Sequence, residues 1–492
     1  MTPPARRGII LAGGAGTRLY LRGGITTPES VVGLFRATSY GGDYRCSITA
    51  DFLTNTWAGP MLLEGSGIVG FYSGAGTNIF NITGPILGTN NFTGTAFFRG
   101  TAGLCGKISG KVEMPNGTLA ITDNTSWEFS NPANVSARTS IAYGRILLGA
   151  DNALYPSAPL SLGQSGSSSG TLDLNGFNQT VTALSTINGA NHWITNGSAT
   201  ADSVFTFDGG TNQSTLDGRI VDNLRKLSLT VNSGSLTLLG NNTYKGNTAI
   251  NGGRLVLGAA GTLASTPLIT LAAGGTLDTS AKGTSGLSLG AGQTLAGTGT
   301  IDGALTVGSG ATLSPGASIG MLTVTNVLTL QGTNVVDVDT GAVPSSDRVN
   351  AGVVLYGGTL VVNNLGPALA SGNSFKLFNA AAYVGAFAAI IPDKPGEGLA
   401  WDTDSLVVDG TLKVKLSVSL VPTPIVVEVK AGGLDLSWPA THIGWRLEGQ
   451  TNSLAVGLSN NWATVPGSDT TNKVFIPYDT NPTSVFFRLV YP

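Results

Sequence analysis

The chain has 492 residues with only 26 basic and 28 acidic side chains, so its formal net charge is −2. This balance provides no basic stripe to meet nucleic-acid phosphates. Its 71 glycines and 41% apolar content favour many short strands with tight turns over a helix-rich enzyme or a disordered chain. The longest apolar run, 380–391, is too short to cross a bilayer, so we expect no transmembrane segment.

Residues 1–24 contain a glycine-rich motif. Residues 7–20 read RGIILAGGAGTRLY and closely resemble the opening of sugar-phosphate nucleotidyltransferases of the glucose-1-phosphate thymidylyltransferase kind. The resemblance implies a buried strand that leads into a loop whose backbone amides cradle nucleotide phosphates. The motif positions are Gly13, Gly14, Gly16 and Thr17 in the loop, and Arg18 facing the phosphates.

The sequence after this motif departs from that family. The family continues with a proline and then a lysine that contacts the sugar nucleotide, but here LRGG follows and the first lysine is Lys107. We find no alternation of helices and strands that would build the required parallel sheet. We therefore expect no functional domain in residues 1–24 and no cofactor. The apolar part of residues 8–12 is also too short to be identified as a signal peptide.

Residues 25–420 repeat short strands of alternating polarity separated by glycine turns. Gly-x-Leu landmarks recur at steps of 18 to 22 residues, and a period near twenty without helices is typical of one turn of a β-solenoid. The leucines that we predict to be equivalent in successive turns are Leu236, Leu255, Leu277, Leu295 and Leu313.

Two segments of this region resemble the autotransporter-associated β-strand repeat. The first, GSLTLLGNNTYKGNTAINGGRLVLG, covers residues 234–258, and the second covers residues 295–322. The resemblance implies a right-handed parallel β-helix in a large secreted or surface-displayed bacterial protein. The signature residues of the first segment are Asn241, Asn242, Thr243, Tyr244, Gly246, Thr248, Ile250, Gly252 and Leu255. We interpret the abundant asparagines as structural residues that stack inside turns.

Three aspartates, Asp337, Asp339 and Asp347, stand close together in sequence. One interpretation is a calcium site, and the other is turn capping and strand-edge charges. The nonapeptide calcium repeat is absent, so we predict the second interpretation and no metal. His192 and His442 have no neighbouring ligands and are expected to be ordinary turn or surface residues.

The sequence contains two cysteines, Cys46 and Cys105. Their spacing leaves a disulfide and two buried thiols as open alternatives.

Residues 421–492 form a separate module after the stiff segment VPTP at 421–424. Short alternating strands here predict a small β-sandwich of the fibronectin or immunoglobulin kind. Its tryptophans, Trp438, Trp445 and Trp462, are either a sugar-stacking platform or core residues, and we predict core.

For function, the sequence predicts a non-catalytic, secreted or surface-exposed structural or adhesin-like protein with no catalytic residues. Its localisation would be extracellular or the outer cell surface, and its partners would be cell-surface or extracellular glycans or proteins, not nucleic acid. A polysaccharide-active β-helix enzyme is one alternative, although we find no paired carboxylates on one face. A sugar-1-phosphate nucleotidyltransferase is the other, implied by residues 7–20 alone.

Overall fold

The computed structural model describes residues 17–22, 26–27, 33–37, 46–51, 54–73, 79–101, 103–164, 168–187, 191–478 and 483–491. Strands account for 53% of the chain and helices for 4%, which confirms the predicted all-β class. The chain forms two compact units. The first contains the described residues up to Ala317 together with Met321–Thr333 and Asn350–Gly352; the second contains Ser318–Gly320, Asn334–Val349 and the described residues from Val353 onward.

The described part of the first unit contains short strands and a 3₁₀ segment, Ser280–Ser285, that is interrupted at Gly283. The strands in chain order are β1 (Thr17–Arg22), β2 (Thr26–Thr27), β3 (Gly33–Ala37), β4 (Cys46–Asp51), β5 (Asn55–Trp57), β6 (Met61–Gly65), β7 (Ile68–Ser73), β8 (Phe80–Ile82), β9 (Ile86–Gly88), β10 (Thr95–Gly100), β11 (Gly103–Ile108), β12 (Val112–Ile121), β13 (Thr125–Phe129), β14 (Val135–Ile141), β15 (Gly144–Leu148), β16 (Leu160–Leu162), β17 (Gly170–Asp173), β18 (Gln179–Val181), β19 (Leu184–Thr186), β20 (Trp193–Asn196), β21 (Ser203–Leu216), β22 (Arg219–Asp222), β23 (Leu227–Leu238), β24 (Thr248–Ile250), β25 (Arg254–Leu257), β26 (Leu268–Leu271), β27 (Thr276–Asp278), β28 (Leu287–Leu289), β29 (Thr294–Gly297), β30 (Thr300–Asp302), β31 (Leu305–Val307), β32 (Thr312–Pro315) and β33 (Met321–Leu330).

Most of these strands pair with a strand of an adjacent turn and not with their neighbour in sequence, although the long β23 also pairs with β24. One sheet has the order β1-β4-β7-β10-β12-β14-β16-β19, and a second has the order β2-β5-β8-β11-β13-β15-β17-β20-β22. A third begins at β18 and β21 and continues through β33. The pairs are parallel, as in β4 with β7 or β15 with β17. Parallel pairing of strands from successive turns defines a β-solenoid, so the predicted architecture is confirmed.

The alternating pattern of the sequence fills the solenoid interior in columns. In the second sheet, one strand register aligns five side chains that are all fully buried: Trp127, Ile146, Leu172, Ile194 and Ile220. Successive strands in such a stack are about 4.8 Å apart, so each side chain packs on the equivalent side chain of the adjacent turn. Since no turn can bury its apolar face alone, the stack is the source of stability.

The predicted set of equivalent leucines is correct for three positions and wrong for two. Leu236, Leu255 and Leu277 do stack in register. The next residue in that column is Ile301, because Leu295 instead pairs with Leu313 in another column of the turn. Each turn contains more than one strand that carries the Gly-x-Leu pattern. Leucines that are equally spaced in sequence can therefore belong to different columns.

The signature residues of segment 234–258 form a buried polar network. Asn242 accepts a hydrogen bond from the Ile220 backbone amide of the preceding turn at 2.9 Å and donates to a nearby carbonyl. The hydroxyl of Tyr244, which is fully buried, lies 2.6 Å from the hydroxyl of Thr248. Thr266 of the following turn adjoins this pair at 3.3 Å. The expectation that asparagines are structural is confirmed at Asn242, which joins adjacent turns.

The next strands along the chain form both parallel and antiparallel pairs. They are β34 (Thr333–Val338), β35 (Arg348–Tyr356), β36 (Thr359–Asn364), β37 (Ser374–Lys376), β38 (Phe378–Asn379), β39 (Ala382–Gly385), β40 (Ala389–Ile391), β41 (Leu399–Asp402) and β42 (Thr411–Leu416), with helix α1 (Leu406–Asp409) before β42. β35 pairs with β39 and β36 with β40, both parallel, whereas β37, β42 and β41 form an antiparallel sheet. Within the described ranges, no helix is long and apolar enough to cross a membrane.

The last strands form two antiparallel sheets. They are β43 (Val426–Lys430), β44 (Gly433–Ser437), β45 (Arg446–Ser453), β46 (Ala463–Thr464), β47 (Lys473–Pro477) and β48 (Thr483–Val490), with 3₁₀ helices at Ala440–His442 and Ser468–Thr470. The orders are β43-β44-β47 and β46-β45-β48. Leu436 of β44 and Trp438, which directly follows that strand, pack against Leu447 of β45, so the two small sheets share one core, as predicted for a sandwich. The predicted domain limits, 1–24, 25–420 and 421–492, stay predictions.

Candidate functional site

The outer face of the second sheet carries a column of side chains that point away from the core. It holds, in register from β13 to β22, Ser126, Arg145, Thr171, Trp193 and Arg219. These positions alternate with the fully buried column beginning at Trp127, which is why they face outward. The sequence therefore places hydroxyl, guanidinium and indole groups in one line across the strands.

Trp193 stands out in this column because 42% of its surface is exposed. It lies in an open cleft of about 490 Å³, a volume within the usual range of about 300–1,000 Å³ for small-molecule sites. The cleft is lined mainly by hydroxyl, amide and charged side chains around this one aromatic ring: Asn124, Thr125, Ser126, Gly144, Arg145, Ser169, Thr171, Trp193, Thr195, Val221, Asp222 and Asn223.

Arg145 is held in the cleft by a buried carboxylate. Its guanidinium forms an ion pair with Asp173, whose side chain is fully buried. The second oxygen of Asp173 accepts the backbone amides of Asn175 at 2.9 Å and Gly197 at 2.7 Å. Burial lowers the pKa of the Arg145 guanidinium from its ordinary value. The pair is thus a fixed, charge-balanced feature of the cleft wall.

The opposite end of the cleft is built by the turn after β22. Both carboxylate oxygens of Asp222 accept backbone amides, from Leu227 at 2.9 Å and Lys245 at 3.1 Å. These bonds fix the turn and leave the adjacent Asn223 exposed. At the first end, the exposed Asn124 adopts a left-handed backbone with φ of 54°. The exposed side-chain amides of Asn124 and Asn223 therefore lie at the two ends of the cleft, with the Trp193 ring between them.

The glycine motif predicted for phosphate binding is largely outside the described part of the chain. Gly13, Gly14 and Gly16 lie outside the described residues. The backbones of Thr17 and Arg18 open strand β1, which pairs with β4. The motif's function stays a prediction.

The C-terminal tryptophans do not form a shared platform. Trp438 and Trp445 are 3% and 7% exposed, which confirms the predicted core role for both. The Trp445 indole also donates to the Ser419 carbonyl at 2.7 Å. Trp462 is half-buried, and the Arg488 guanidinium covers its ring at 4.2 Å from the ring centroid.

Two of the three aspartates near residue 340 cap backbone amides, as predicted, whereas the Asp337 carboxylate accepts a hydrogen bond from the Asn363 side-chain amide at 3.1 Å. Asp347 is buried and accepts amides from Gly320 at 2.7 Å and Asp337 at 2.9 Å. Asp339 accepts the amide of Gly341 at 2.7 Å. Burial raises the pKa of Asp347 to about 6, opposed by these two amides and assisted by the nearby Asp337. Among the residues that the structure describes, no three His, Cys, Asp or Glu side chains group closely enough to hold a metal ion.

The two histidines are structural, but both are buried, so the surface alternative is wrong. His192 accepts the Gly170 amide at Nδ1, 3.1 Å away, and its Nε2 lies 3.0 Å from the Ile187 carbonyl. His442 is 5% exposed, with Nε2 2.6 Å from the Val421 carbonyl.

Cys105 is buried, and whether it is bridged to Cys46 stays a prediction. Burial raises the pKa of this thiol. The side chain of Cys46 lies outside the described part of the structure.

Sequence reasoning missed Trp193. The signal was present in the triplet Trp193-Ile194-Thr195, because an inward Ile194 forces its neighbours outward. A tryptophan at an outward position of a strand therefore places a large aromatic ring at the protein surface.

A scan against protein-family models finds no match to this chain. A search of curated proteins finds no significantly similar sequence.

Proposed function

We propose that this chain is a non-catalytic structural or adhesin-like β-solenoid protein, secreted or exposed on an outer cell surface. The resemblance of residues 234–258 and 295–322 to autotransporter-associated β-strand repeats supports this proposal. Its partners would be extracellular or cell-surface glycans or proteins. The solenoid would act as a rigid scaffold that presents a large polar surface for weak, repeated contacts.

The observation that carries the proposal is the chemistry of the outward-facing columns in the first unit. One column places Ser288, Thr306 and Thr329 in register, a ladder of uncharged hydroxyl groups. Several charges on these faces have close partners of opposite sign, as in the Lys107–Glu128 pair at 2.8 Å. Such a surface favours contacts through hydrogen bonds over strong electrostatic attraction.

The test is where the protein accumulates. Native cells would be fractionated and intact cells treated with an added protease, with a cytoplasmic enzyme as the internal control. We expect the chain in the medium or in the protease-accessible surface fraction while the cytoplasmic control stays intact. Accumulation of the chain only with the cytoplasmic control would contradict the proposal.

One binding assay and one activity assay test the two enzyme alternatives. A rise in thermal stability with a nucleoside triphosphate would favour the nucleotidyltransferase. Release of reducing sugar or unsaturated product from a polysaccharide would favour the β-helix enzyme. Either result would replace the non-catalytic proposal.

A further inference from the structure

We propose that the Trp193 cleft binds a neutral oligosaccharide, with the indole face as the platform on which one sugar ring stacks. The inference deepens the proposed function and rests on it, since it names the ligand class that an exposed solenoid would meet. The cleft is formed entirely within the first unit, by strands β13, β15, β17, β20 and β22 and by residues directly before or after them.

The exposed indole is the first part of the argument. In the same sheet Trp127 is fully buried, whereas Trp193 leaves 42% of its surface to solvent inside a groove. A large aromatic ring gains free energy when its apolar surface is covered, and a pyranose ring presents a flat C–H face that fits an indole. Thr171 beside it in register is small enough to leave that face accessible.

The lining groups are the second part. Sugar hydroxyls are both donors and acceptors, and they need partners of both kinds when water is displaced. The hydroxyls of Ser126 and Thr171 and the amides of Asn124 and Asn223 offer both functions along the groove. Arg145 adds a donor group whose orientation is set by the buried Asp173.

The charge of the cleft favours a neutral ligand. The positive charge of Arg145 is balanced by Asp173 at the same place. Asp222, the other charged lining group, already accepts two backbone amides. Arg219 stands next to Trp193 in the same column, so Arg145 and Arg219 are matched in number by Asp173 and Asp222. The cleft and its border therefore offer no net positive charge to attract an anionic glycan.

The sheet geometry disfavours a peptide that adds as a strand. β17 is hydrogen-bonded to β15 on one side and β20 on the other, and β20 is bonded to β17 and β22. β22 is the last strand of this sheet, and both the amide and the carbonyl of Ile220 are bonded to the next turn, at Asn242 and Thr243. Among the described strands of the cleft, the backbone groups needed for β-augmentation are therefore already bonded at β17, β20 and Ile220.

The groove crosses the strands at about right angles. The lining runs from Ser126 on β13 to Val221 on β22, which are four strand spacings apart, or about 19 Å. A ligand longer than a disaccharide is needed to contact both ends, so affinity should rise with the number of sugar residues.

The test is calorimetric titration of the full chain with defined hexasaccharides. The neutral probes are those of β-1,4-glucose, β-1,3-glucose, β-1,4-xylose and α-1,4-glucose, and a galacturonate hexasaccharide is the anionic probe. We expect saturable binding of at least one neutral probe, with a change in tryptophan fluorescence. Its disaccharide should bind at least about tenfold more weakly, which corresponds to about 1.4 kcal/mol.

Variants assign the binding to the cleft. Trp193→Ala should weaken binding at least about tenfold and Trp193→Phe should weaken it less, because phenylalanine keeps a smaller ring. Trp462→Ala is the matched control, since that ring is covered by Arg488, and it should leave binding unchanged. Unchanged thermal unfolding would show that each variant is folded.

Three results would overturn the proposal: no binding of any neutral probe, equal binding by folded Trp193→Ala, or preference for the galacturonate probe. The experiments distinguish a wrong assignment of the cleft from a wrong localisation of the protein. A surface-located chain that binds no probe contradicts only the cleft, whereas binding by a chain found only with cytoplasmic proteins contradicts the localisation.

Discussion

The side chains of Arg254 and Asp302 are 48 residues apart in sequence, yet Nη2 of the arginine lies 2.5 Å from Oδ2 of the aspartate. The same guanidinium contacts Asp278 at 2.7 Å. Asp278 and Asp302 occupy neighbouring strands in register, so two like charges face each other across one strand spacing. One arginine therefore holds together three successive turns of the solenoid.

Arg254→Ala should lower the free energy of unfolding by about 1–2 kcal/mol, because it leaves two facing carboxylates without their cation. The side chain of Asp278 is 9% exposed, while that of Arg254 is 40% exposed, so the effect lies between that of a buried and a surface pair. Urea unfolding measures the change. The surface pair variant Lys430→Ala is the control and should change stability by less than about 0.5 kcal/mol.

The same site predicts a pH dependence and a rescue. Burial raises the pKa of Asp278, but hydrogen bonds from Ser280 and Arg254 outweigh it and hold the pKa below its ordinary value. A depressed carboxyl pKa stabilises the fold at neutral pH, and this contribution is lost as pH falls through the folded-state pKa. Arg254→Ala should thus lower the free energy of unfolding by less at acid pH than at pH 7. Adding Asp302→Asn should recover part of the loss at pH 7, and no recovery would show that charge repulsion is not the cause.

Tyr244→Phe should destabilise the protein by about 1–2 kcal/mol, because it removes a buried hydroxyl that bonds Thr248 at 2.6 Å. Hydrogen exchange of amides in β24 would show the loss locally, since each turn depends mainly on its neighbours. Tyr478→Phe is the matched control, because that tyrosine is 52% exposed. Equal effects of the two changes would contradict a structural role for the Tyr244 hydroxyl.

Gly253→Ala should be more damaging than Gly274→Ala, although both glycines have a left-handed backbone, with φ of 65° and 85°. Gly274 has open space at the Cβ position, so alanine there adds only backbone strain, about 1–2 kcal/mol. At Gly253 a Cβ would lie 2.5 Å from the Gly234 carbonyl oxygen of the adjacent turn. We expect a total cost of about 3 kcal/mol or more there. Comparison of the two urea midpoints isolates the contact between turns, and similar midpoints would argue against it.

Ionisation of Asp347 should lower the stability of the protein as pH rises from about 4 to about 6. Its folded-state pKa is about 6, above an unfolded value of about 3.9, so the folded state binds the extra proton in this window. The free energy of unfolding should fall by about 3 kcal/mol across it. Asp347→Ser should remove this slope, whereas the exposed Asp393→Asn should keep it. Urea unfolding at pH 4, 5, 6 and 7 measures the slope, and a flat wild-type profile would contradict the assignment.

The sequence alone determined the class of fold and much of its local chemistry. Alternation at Leu236 and Leu238, glycine turns and the lack of a helical period required stacked parallel strands, because only stacking buries such faces. The break at 421–424 and the strands after it indicated the sandwich, and the capping roles of Asn242 and Asp347 follow from short polar side chains in turns.

Tertiary structure alone decided which residues of different turns meet. Register in a parallel stack depends on how many residues each turn spends in its loops, and that number varies along the chain, which is why Leu295 joined Leu313 and not Leu277. For the same reason, the spacing of Ser126, Thr171 and Trp193 in the sequence does not predict that they share one outward column. The cleft exists because stacking brings together side chains whose separation along the chain carries no fixed period.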